Sequence, residues 1–250
     1  MGRRPALTTA ASFRDVDGMK SVLITGASRG IGHGFASAFA DAGWRVYGAA
    51  RNPESEGIQK LQQQFPERFT PVRMDVTDGS SIAKAAESVA GETESLDLLV
   101  NNAGMAATPD EKRIEDIDED DVAKVFDVNT LGPLRVLKAF VPLLRKSERA
   151  KVVMISSSAG SISGQGGGRG VPYCVSKGAL NMLTKLLSFH CREDGMPIVA
   201  IHPGWVRTDM GGSGASLSVQ ESVASMMQVI DELTTDSPLY VDCKGREMSW

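Results

Sequence analysis

Near its beginning the chain carries the stretch SVLITGASRGIG, Ser21 to Gly32, in which an apolar run leads directly into three closely spaced glycines. The run is apolar on both faces, as a strand buried inside a parallel sheet must be. A helical pattern begins where the glycines end. A strand, a glycine-containing turn and a helix in this order are typical of a turn whose backbone N–H groups bind a pyrophosphate. A purely structural turn between strand and helix is the alternative.

Outward from this stretch, short apolar runs alternate with helical patterns along the chain. Strands are predicted at residues 21–25, 45–50, 70–74, 96–101, 151–156, 197–202 and 239–241. Helices are predicted at about residues 30–42, 53–64, 80–91, 118–146, 172–191 and 219–233. Such alternation implies right-handed crossovers. We therefore predict an α/β fold for residues 19–250: one domain with a doubly wound parallel sheet of about seven strands and helices on both faces.

Composition limits the classes of function. The 250 residues are 42% apolar and 23% charged, which is typical of a globular protein. With 27 basic and 31 acidic residues the net charge is −4, which disfavours nucleic acid as a partner. No apolar run approaches the roughly 20 residues of a membrane span, so no membrane association is expected. Three cysteines without CxxC spacing indicate reduced thiols in a cytoplasmic protein and no metal site.

Residues 1–18 differ from the rest of the chain. They combine several arginines with threonine and serine and show no core-forming period. We predict a disordered N-terminal extension. An organelle-targeting peptide is the alternative, because no acidic residue precedes Asp15.

The end of the second predicted strand bears on the choice of cofactor. An NAD site places a carboxylate about 20 residues beyond the glycines, where it binds the adenosine ribose. Here the strand ends in Ala50 and Arg51. A 2′-phosphate is therefore not repelled, and Arg51 together with Arg29 could pair with it. This predicts NADP(H); the alternative is that both arginines are solvated surface side chains.

Further along the chain, Tyr173 and Lys177 stand four residues apart in a helical pattern and so share one helical face. An ammonium near a phenol lowers the phenol pKa toward the range of a general acid or base. A core tyrosine beside a surface lysine is the alternative. Three serines end the strand at 151–156, the NNAG motif at 101–104 ends the fourth strand, and Asn129 lies in the following helix.

Taken in order, TGASRGIG, NNAG, Asn129, the serine run, YxxxK and Pro203-Gly204 resemble the motifs of the short-chain dehydrogenases/reductases. The match runs from about Met19 to the C-terminus. Residues 202–212 and 240–250 are most similar to the C-factor/sniffer-type carbonyl reductases. The resemblance implies a Rossmann-type domain, a nicotinamide cofactor and hydride transfer between that cofactor and a small carbonyl or alcohol substrate. It also implies a homodimer or homotetramer. A non-enzymatic NADP-binding regulatory protein of the same fold is the alternative.

The resemblance also assigns roles to residues. Tyr173 protonates the carbonyl oxygen, Lys177 lowers the pKa of Tyr173 and binds the nicotinamide ribose, and Asn129 orders a water in a proton relay. Ser157 polarises the carbonyl, because the family pattern I-S-S-x-x-G superposes its second serine on Ser157. However, Ser157 lies 16 residues before Tyr173, three more than the usual spacing, so Ser158 is the competing assignment.

Cofactor contacts are implied along both halves of the crevice. For the adenosine half and the phosphates they are Gly26, Ser28, Arg29, Ile31, Arg51, Asp75, Val76, Asn101, Ala103 and Gly104. For the nicotinamide half they are Tyr173, Lys177, Pro203, Gly204, Val206 and Thr208. The substrate pocket is predicted between residues 160–171 and the segment after Thr208, which carries small residues and no long lid.

We predict that NADPH binds more tightly than NADH, by about 1 to 3 kcal/mol if Arg51 pairs with the 2′-phosphate. The Arg51→Asp variant should narrow or invert this difference, since a carboxylate repels the phosphate. Titration of both reduced cofactors by fluorescence measures the two dissociation constants. Equal constants for the wild-type protein would contradict the assignment.

Overall fold

The computed structural model of the protein describes residues 18–107 and 113–250. Within these ranges seven strands alternate with helices. The strands are β1 (Ser21–Thr25), β2 (Arg45–Ala50), β3 (Phe69–Arg73), β4 (Leu98–Asn101), β5 (Lys151–Ile155), β6 (Ile198–His202) and β7 (Tyr240–Asp242). The α-helices are α1 (Gly30–Asp41), α2 (Glu56–Gln64), α3 (Gly79–Ala90), α4 (Glu119–Phe126), α5 (Gly132–Leu144), α6 (Val171–Glu193) and α7 (Val219–Glu232).

The strands form one parallel sheet in the order β3-β2-β1-β4-β5-β6-β7. The order reverses at the centre, because the chain adds β2 and β3 on one side of β1 and then returns to place β4 on the other side. Ile24 of β1 lies opposite Val100 of β4, so the two strands end at the same edge of the sheet. Ligands bind in the crevice opened at such a reversal. The predicted doubly wound α/β sheet is confirmed.

Two apolar layers cover the sheet, because successive strand residues point to opposite faces. Val22 and Ile24 of β1 point into the layer formed with α1, α2 and α7, whereas Leu23 points into the layer formed with α3, α5 and α6. Phe39 of α1 and Phe140 of α5 are fully buried, one in each layer. Removing a side chain of this size from water contributes about 1.5–3 kcal/mol.

The helix predicted at residues 118–146 consists of three consecutive segments. Helix α4 ends at Phe126, residues Asp127–Leu131 form a π-helical turn, and α5 begins at Gly132. Pro133 lies in the first turn of α5, and although the residues before it are already helical, it has no N–H to donate to the preceding turn. A single π turn leaves the apolar pattern of its flanking segments intact, so the periodicity does not reveal it. Asn129 lies within this turn.

The predicted disordered extension at residues 1–18, with its targeting-peptide alternative, lies outside the described residues apart from Gly18. Residues 108–112, which follow β4, also lie outside them. Among the residues that are described, no helix is both long enough and apolar enough to cross a membrane.

Candidate active site

The glycine loop between β1 and α1 lies closer to its surroundings than side chains would allow. Gly26 and Gly30 have φ angles of +70° and +57°, a region that favours glycine. A Cβ at Gly32 would collide with the carbonyl oxygen of Gly26. Ser28 and Ile31 are half-buried within the same turn. The start of α1 therefore packs directly on the loop, which is the arrangement that pyrophosphate binding requires.

Asn102 connects the glycine loop to the loop after β4. Its side-chain amide donates to the carbonyl oxygens of Thr25 and Gly26 at 2.8 and 3.3 Å. The backbone N–H groups of Asn102 and Ala103 both donate to the hydroxyl of Thr25 at 2.9 Å. Asn102 is missing from the predicted site residues, although its neighbours Asn101 and Ala103 are among them. The only signal for it in the sequence is the second asparagine of the NNAG motif.

Asn101, the last residue of β4, leaves a buried acceptor free at the crevice. Its side chain is 2% exposed, and its Nδ2 contacts the sulfur of Met154 at 3.4 Å. Its Oδ1 has no hydrogen-bond partner among the described residues, which is unfavourable unless a bound group supplies a donor. Further along the same loop, a Cβ at Gly104 would lie 3.2 Å from Oδ1 of Asn129 and 3.8 Å from Nζ of Lys177. The NNAG loop thus reaches from the crevice to the catalytic candidates.

At the predicted adenosine end of the site, Arg51 is exposed directly after β2. Asp75 and Val76 follow β3, the strand that pairs with β2. Hydrogen bonds from Thr77 hold the pKa of Asp75 below its usual value, burial opposes them, and the nearby charge of Arg51 adds a smaller lowering. Val76 is buried against the start of α5 at Gly132. The structure therefore brings Arg51 and Asp75 together at this edge of the sheet.

Arg29, predicted to share a phosphate with Arg51, forms an ion pair with Asp209 in the segment after β6. The Nη1–Oδ2 distance is 2.9 Å. The two side chains are 77% and 75% exposed, so solvent screens the pair and it contributes little to stability. The contact joins the glycine loop to the predicted nicotinamide side of the site.

The segment after β6 crosses in front of the glycine loop. Pro203 and Val206 are buried, and Gly204 between them has a φ of +82°. The methyl group of Thr208 lies 3.3 Å from the position that a Cβ at Gly30 would take. The predicted nicotinamide residues therefore lie across the crevice from the glycine loop.

Tyr173 and Lys177 lie one turn apart on α6, with the lysine Nζ 5.7 Å from the centroid of the tyrosine ring. The Nζ donates to the carbonyl oxygen of Ile155 at 2.7 Å. Burial lowers the pKa of Lys177 to about 8. Burial also raises the pKa of Tyr173, and a hydrogen bond with the side chain of Ser157 opposes this effect. The structure thus differs from the predicted lowering of the tyrosine pKa by lysine, because desolvation of the phenol dominates.

Ser157 is the serine that the structure brings to Tyr173. It precedes the short 3₁₀ helix Ser158–Gly160, and its hydroxyl accepts a hydrogen bond from the N–H of Ala159 at 3.1 Å. The same side chain is the one that hydrogen-bonds with the phenol of Tyr173. Ser158 is exposed. The geometry favours the assignment of Ser157 over Ser158.

Asn129 is fully buried and joins the π turn to α6. Its Oδ1 accepts from the N–H of Met105 at 2.8 Å, and its Nδ2 donates to the carbonyl oxygen of Met105 at 2.8 Å. The Nδ2 also lies 3.0 Å from the hydroxyl of Ser176, which in turn donates to the carbonyl oxygen of Tyr173 at 2.7 Å. Asn129 thus connects the loop after β4 to the helix that carries Tyr173 and Lys177.

Comparison with known proteins agrees with this geometry. The short chain dehydrogenase family matches residues 20–216. The C-signal protein of Myxococcus xanthus is 40% identical over 159 residues, which are 63% of this chain and 95% of that protein. Among solved structures, the NADPH-bound carbonyl reductase from chicken fatty liver is 37% identical with a TM-score of 0.85, covering 93% of this chain and 99% of its own. Carbonyl reductase Sniffer of D. melanogaster is 30% identical with a TM-score of 0.87, covering 93% and 100%.

Fold and site together define an oxidoreductase built on a Rossmann-type sheet. The chain belongs to the short chain dehydrogenase family. Its similarity to C-signal and to Sniffer confirms the resemblance to the C-factor/sniffer-type members.

The choice between the two serines can be tested by substitution. Ser157→Ala should lower kcat about 100-fold or more, as the loss of a donor to a developing oxyanion does. Ser158→Ala is the matched control, and its exposed hydroxyl should matter much less. Steady-state kinetics of both variants, with folding verified by circular dichroism, measure the difference. The reverse ranking would assign the role to Ser158.

Proposed function

We propose that the protein is an NADP(H)-dependent reductase of carbonyl compounds, with Tyr173 as the proton donor. The observation that carries the proposal is the grouping of Ser157, Tyr173 and Lys177 beside the crevice between β1 and β4. The end of β2 supports the phosphorylated cofactor, because Arg51 stands where an NAD site has a carboxylate. The NADPH-bound chicken carbonyl reductase, which has the same fold, supports it as well.

The residues of the crevice fit such a cofactor. Because a Cβ at Gly26 or Gly32 would lie within 3.0 Å of neighbouring protein atoms, only glycine lets the loop and the start of α1 pack this closely. The N-terminus of α1 would then receive the phosphates. The Oδ1 of Asn101, which no described residue hydrogen-bonds, is a buried acceptor at the end of β4. Arg51 would hold the 2′-phosphate, whereas Arg29 is ion-paired with Asp209 on the predicted nicotinamide side. Lys177 and the residues after β6 would hold the nicotinamide half. When bound, NADPH supplies the hydride that the carbonyl carbon accepts.

Residues of the chain donate the proton that the carbonyl oxygen accepts and stabilise the negative charge that develops during the reduction. Ser157 donates a hydrogen bond to the carbonyl oxygen and polarises it. Tyr173 transfers its phenolic proton to that oxygen, so the product is the alcohol and the phenol becomes a phenolate. Because burial raises the pKa of Tyr173, the phenol is protonated at neutral pH and ready to donate. The ammonium of Lys177 then stabilises the phenolate by its charge.

The proposed substrates are small aldehydes and ketones. The predicted pocket lies between residues 160–171 and the segment after Thr208. In that second segment Met210 is 53% exposed. Trp205, which lies just before Thr208, is 59% exposed, and its Nε1 donates a hydrogen bond to the carbonyl oxygen of Gly211 at 2.8 Å. These apolar surfaces suit the hydrocarbon part of a carbonyl compound.

A regulatory role without catalysis is the second candidate, and the 40% identity to C-signal is the observation that favours it. The two functions differ in whether bound NADPH is consumed. A single-turnover assay across a panel of aldehydes and ketones distinguishes them, because a reductase oxidises NADPH with at least one of them. Binding of NADPH without oxidation across the whole panel would support the regulatory role.

Helix α6 also bears on assembly. Three leucines of this helix face the core, since Leu180 is 1% exposed and Leu183 and Leu187 pack on the same layer. A different set of apolar residues is between 47% and 60% exposed on this helix: Val175, Met182, Leu186 and Phe189. Their spacing of seven, four and three residues places them on one face. We propose that this face pairs with a second copy of the chain.

We expect a mass of about twice 26.6 kDa or a higher multiple by size exclusion with light scattering. Leu186→Glu should shift the protein toward the monomer, because it would bury a charge in the contact. Gln228→Glu, which adds the same carboxylate at an exposed position of α7 on the opposite side of the sheet, serves as control. A wild-type mass near 26.6 kDa at micromolar concentration would contradict the assembly.

The proton-transfer role predicts distinct effects for two variants. Tyr173→Phe should abolish reduction and leave the NADPH dissociation constant nearly unchanged, because only the transferable proton is lost. Lys177→Met should reduce both turnover and NADPH affinity, since its ammonium serves the phenol and the ribose. Steady-state rates and fluorescence titration measure the two quantities separately. Substantial carbonyl-dependent oxidation of NADPH by Tyr173→Phe would exclude Tyr173 as the donor.

The pH dependence provides an independent measurement. Lys177 loses its charge as the pH rises through its pKa of about 8, while the raised pKa of Tyr173 keeps the phenol protonated. The wild-type rate of reduction should therefore fall above about pH 8. The residual rate of Lys177→Met should lack this step.

A further inference from the structure

Beyond the groups already assigned, the chain after β7 turns back toward the catalytic serine. The carboxylate of Asp242 accepts the backbone N–H groups of Lys244 and Arg246 at 2.9 and 3.0 Å and so closes a tight turn. After this turn, the N–H of Met248 donates to the carbonyl oxygen of Tyr240 at 2.9 Å. Residues 247–250, which we call the return segment, therefore run antiparallel beside β7.

The return segment is bound to the loop that follows Ser157. The hydroxyl of Ser161 donates to the main-chain oxygen of Ser249 at 2.7 Å. The N–H and the hydroxyl of Ser163 donate to the main-chain oxygen of Trp250 at 2.9 and 2.7 Å. These three hydrogen bonds hold the loop after Ser157 against the return segment beside the edge strand β7.

Tyr240 makes the contact that reaches Ser157 itself. Its side chain is 1% exposed, and its ring stacks on Trp250 with a centroid distance of 5.2 Å. Its hydroxyl donates to the carbonyl oxygen of Ser157 at 2.7 Å. The N–H of Gly160 donates to the same carbonyl oxygen at 3.0 Å. Two donors therefore fix the peptide group that follows Cα of Ser157.

Asn181 of α6 holds the other side of the turn at Ser157, which comprises residues 156–160. The hydroxyl of Ser156 donates to Oδ1 of Asn181 at 2.6 Å, and Nδ2 of Asn181 donates to the carbonyl oxygen of Gly160 at 3.1 Å. The side chain of Asn181 also hydrogen-bonds with Tyr240. The turn at Ser157 is therefore hydrogen-bonded on one side to the segment after Tyr240 and on the other side to Asn181 of α6. Tyr240 takes part in both sets of contacts.

We propose that Tyr240 is a positioning residue for Ser157. Its hydroxyl orients the Ser157 carbonyl, and this orientation directs the Ser157 hydroxyl toward Tyr173. A displacement of about 1 Å in a reacting group can lower the rate on the order of 100-fold. A hydrogen bond that fixes the backbone of Ser157 should therefore affect kcat. The catalytic consequence rests on the proposed reductase function, whereas the structural consequence does not.

Tyr240→Phe tests the role, and Tyr47→Phe is its matched control. Tyr47 is also fully buried, but it lies in β2, which β1 and β4 separate from β5 and the turn at Ser157, and the side chains near its hydroxyl are those of Arg45 and Thr93. For Tyr240→Phe we expect kcat to fall about three- to tenfold, with KM and the NADPH dissociation constant nearly unchanged, because Ser157 acts mainly in the transition state. Tyr47→Phe should keep the wild-type kcat.

The double variant shows whether the effect passes through Ser157. In the Ser157→Ala background, Tyr240→Phe should lower kcat little further, because there is no hydroxyl left to orient. An equal loss in both backgrounds would overturn the proposal, since Tyr240 would then act elsewhere.

Hydrogen exchange gives a measurement that needs no turnover. Amide exchange in residues 157–163 should be faster in Tyr240→Phe than in the wild type and unchanged in Tyr47→Phe. If Tyr240→Phe does not fold, Trp250→Ala replaces it, because loss of the stacked ring should loosen the same peptide. Exchange and kcat that match those of Tyr47→Phe would overturn the proposal. If no protein in the series turns over any carbonyl, the reductase function fails, and the exchange rates alone decide whether Tyr240 holds the turn.

Discussion

The hydroxyl of Thr25 accepts the backbone N–H groups of Asn102 and Ala103, and this pair of hydrogen bonds holds the loops of β1 and β4 together. The side chain of Asn102 adds a bond to the carbonyl oxygen of Thr25. This contact extends the pairing of β1 and β4 beyond Ile24 and Val100 into the two loops. The crevice at the centre of the sheet, and with it the proposed cofactor site, depends on these bonds.

A second constraint is the free-energy cost of burying polar groups, which applies to two of the candidate catalytic residues. Asn129 is fully buried and Lys177 nearly so, and each is paired with main-chain atoms: Asn129 with Met105, and Lys177 with the carbonyl oxygen of Ile155. Such pairing is needed because an unpaired buried polar group costs about 1–3 kcal/mol. The π turn at Asp127–Leu131 places Asn129 where these partners are available.

The interval of 16 residues between Ser157 and Tyr173 has a structural explanation. Residues 164–169 form an exposed loop, and Ser161 and Ser163 at the start of this loop are hydrogen-bonded to the return segment. Extra loop residues therefore do not separate the serine from the tyrosine. Loop length changes closure entropy only slowly, so such an insertion is tolerated.

The sequence by itself determined the order of strands and helices, the glycine turn and the pairing of Tyr173 with Lys177 on one helix. These depend on apolar periodicity and local backbone geometry, which neighbouring residues encode. Tertiary structure alone decided the role of Asn102 and the raised pKa of Tyr173. It also decided the contact of Tyr240 with Ser157, across 83 positions of the chain. Contacts of this kind leave no periodic pattern in the sequence, because burial and hydrogen bonding between distant residues exist only once the sheet and its helices have packed.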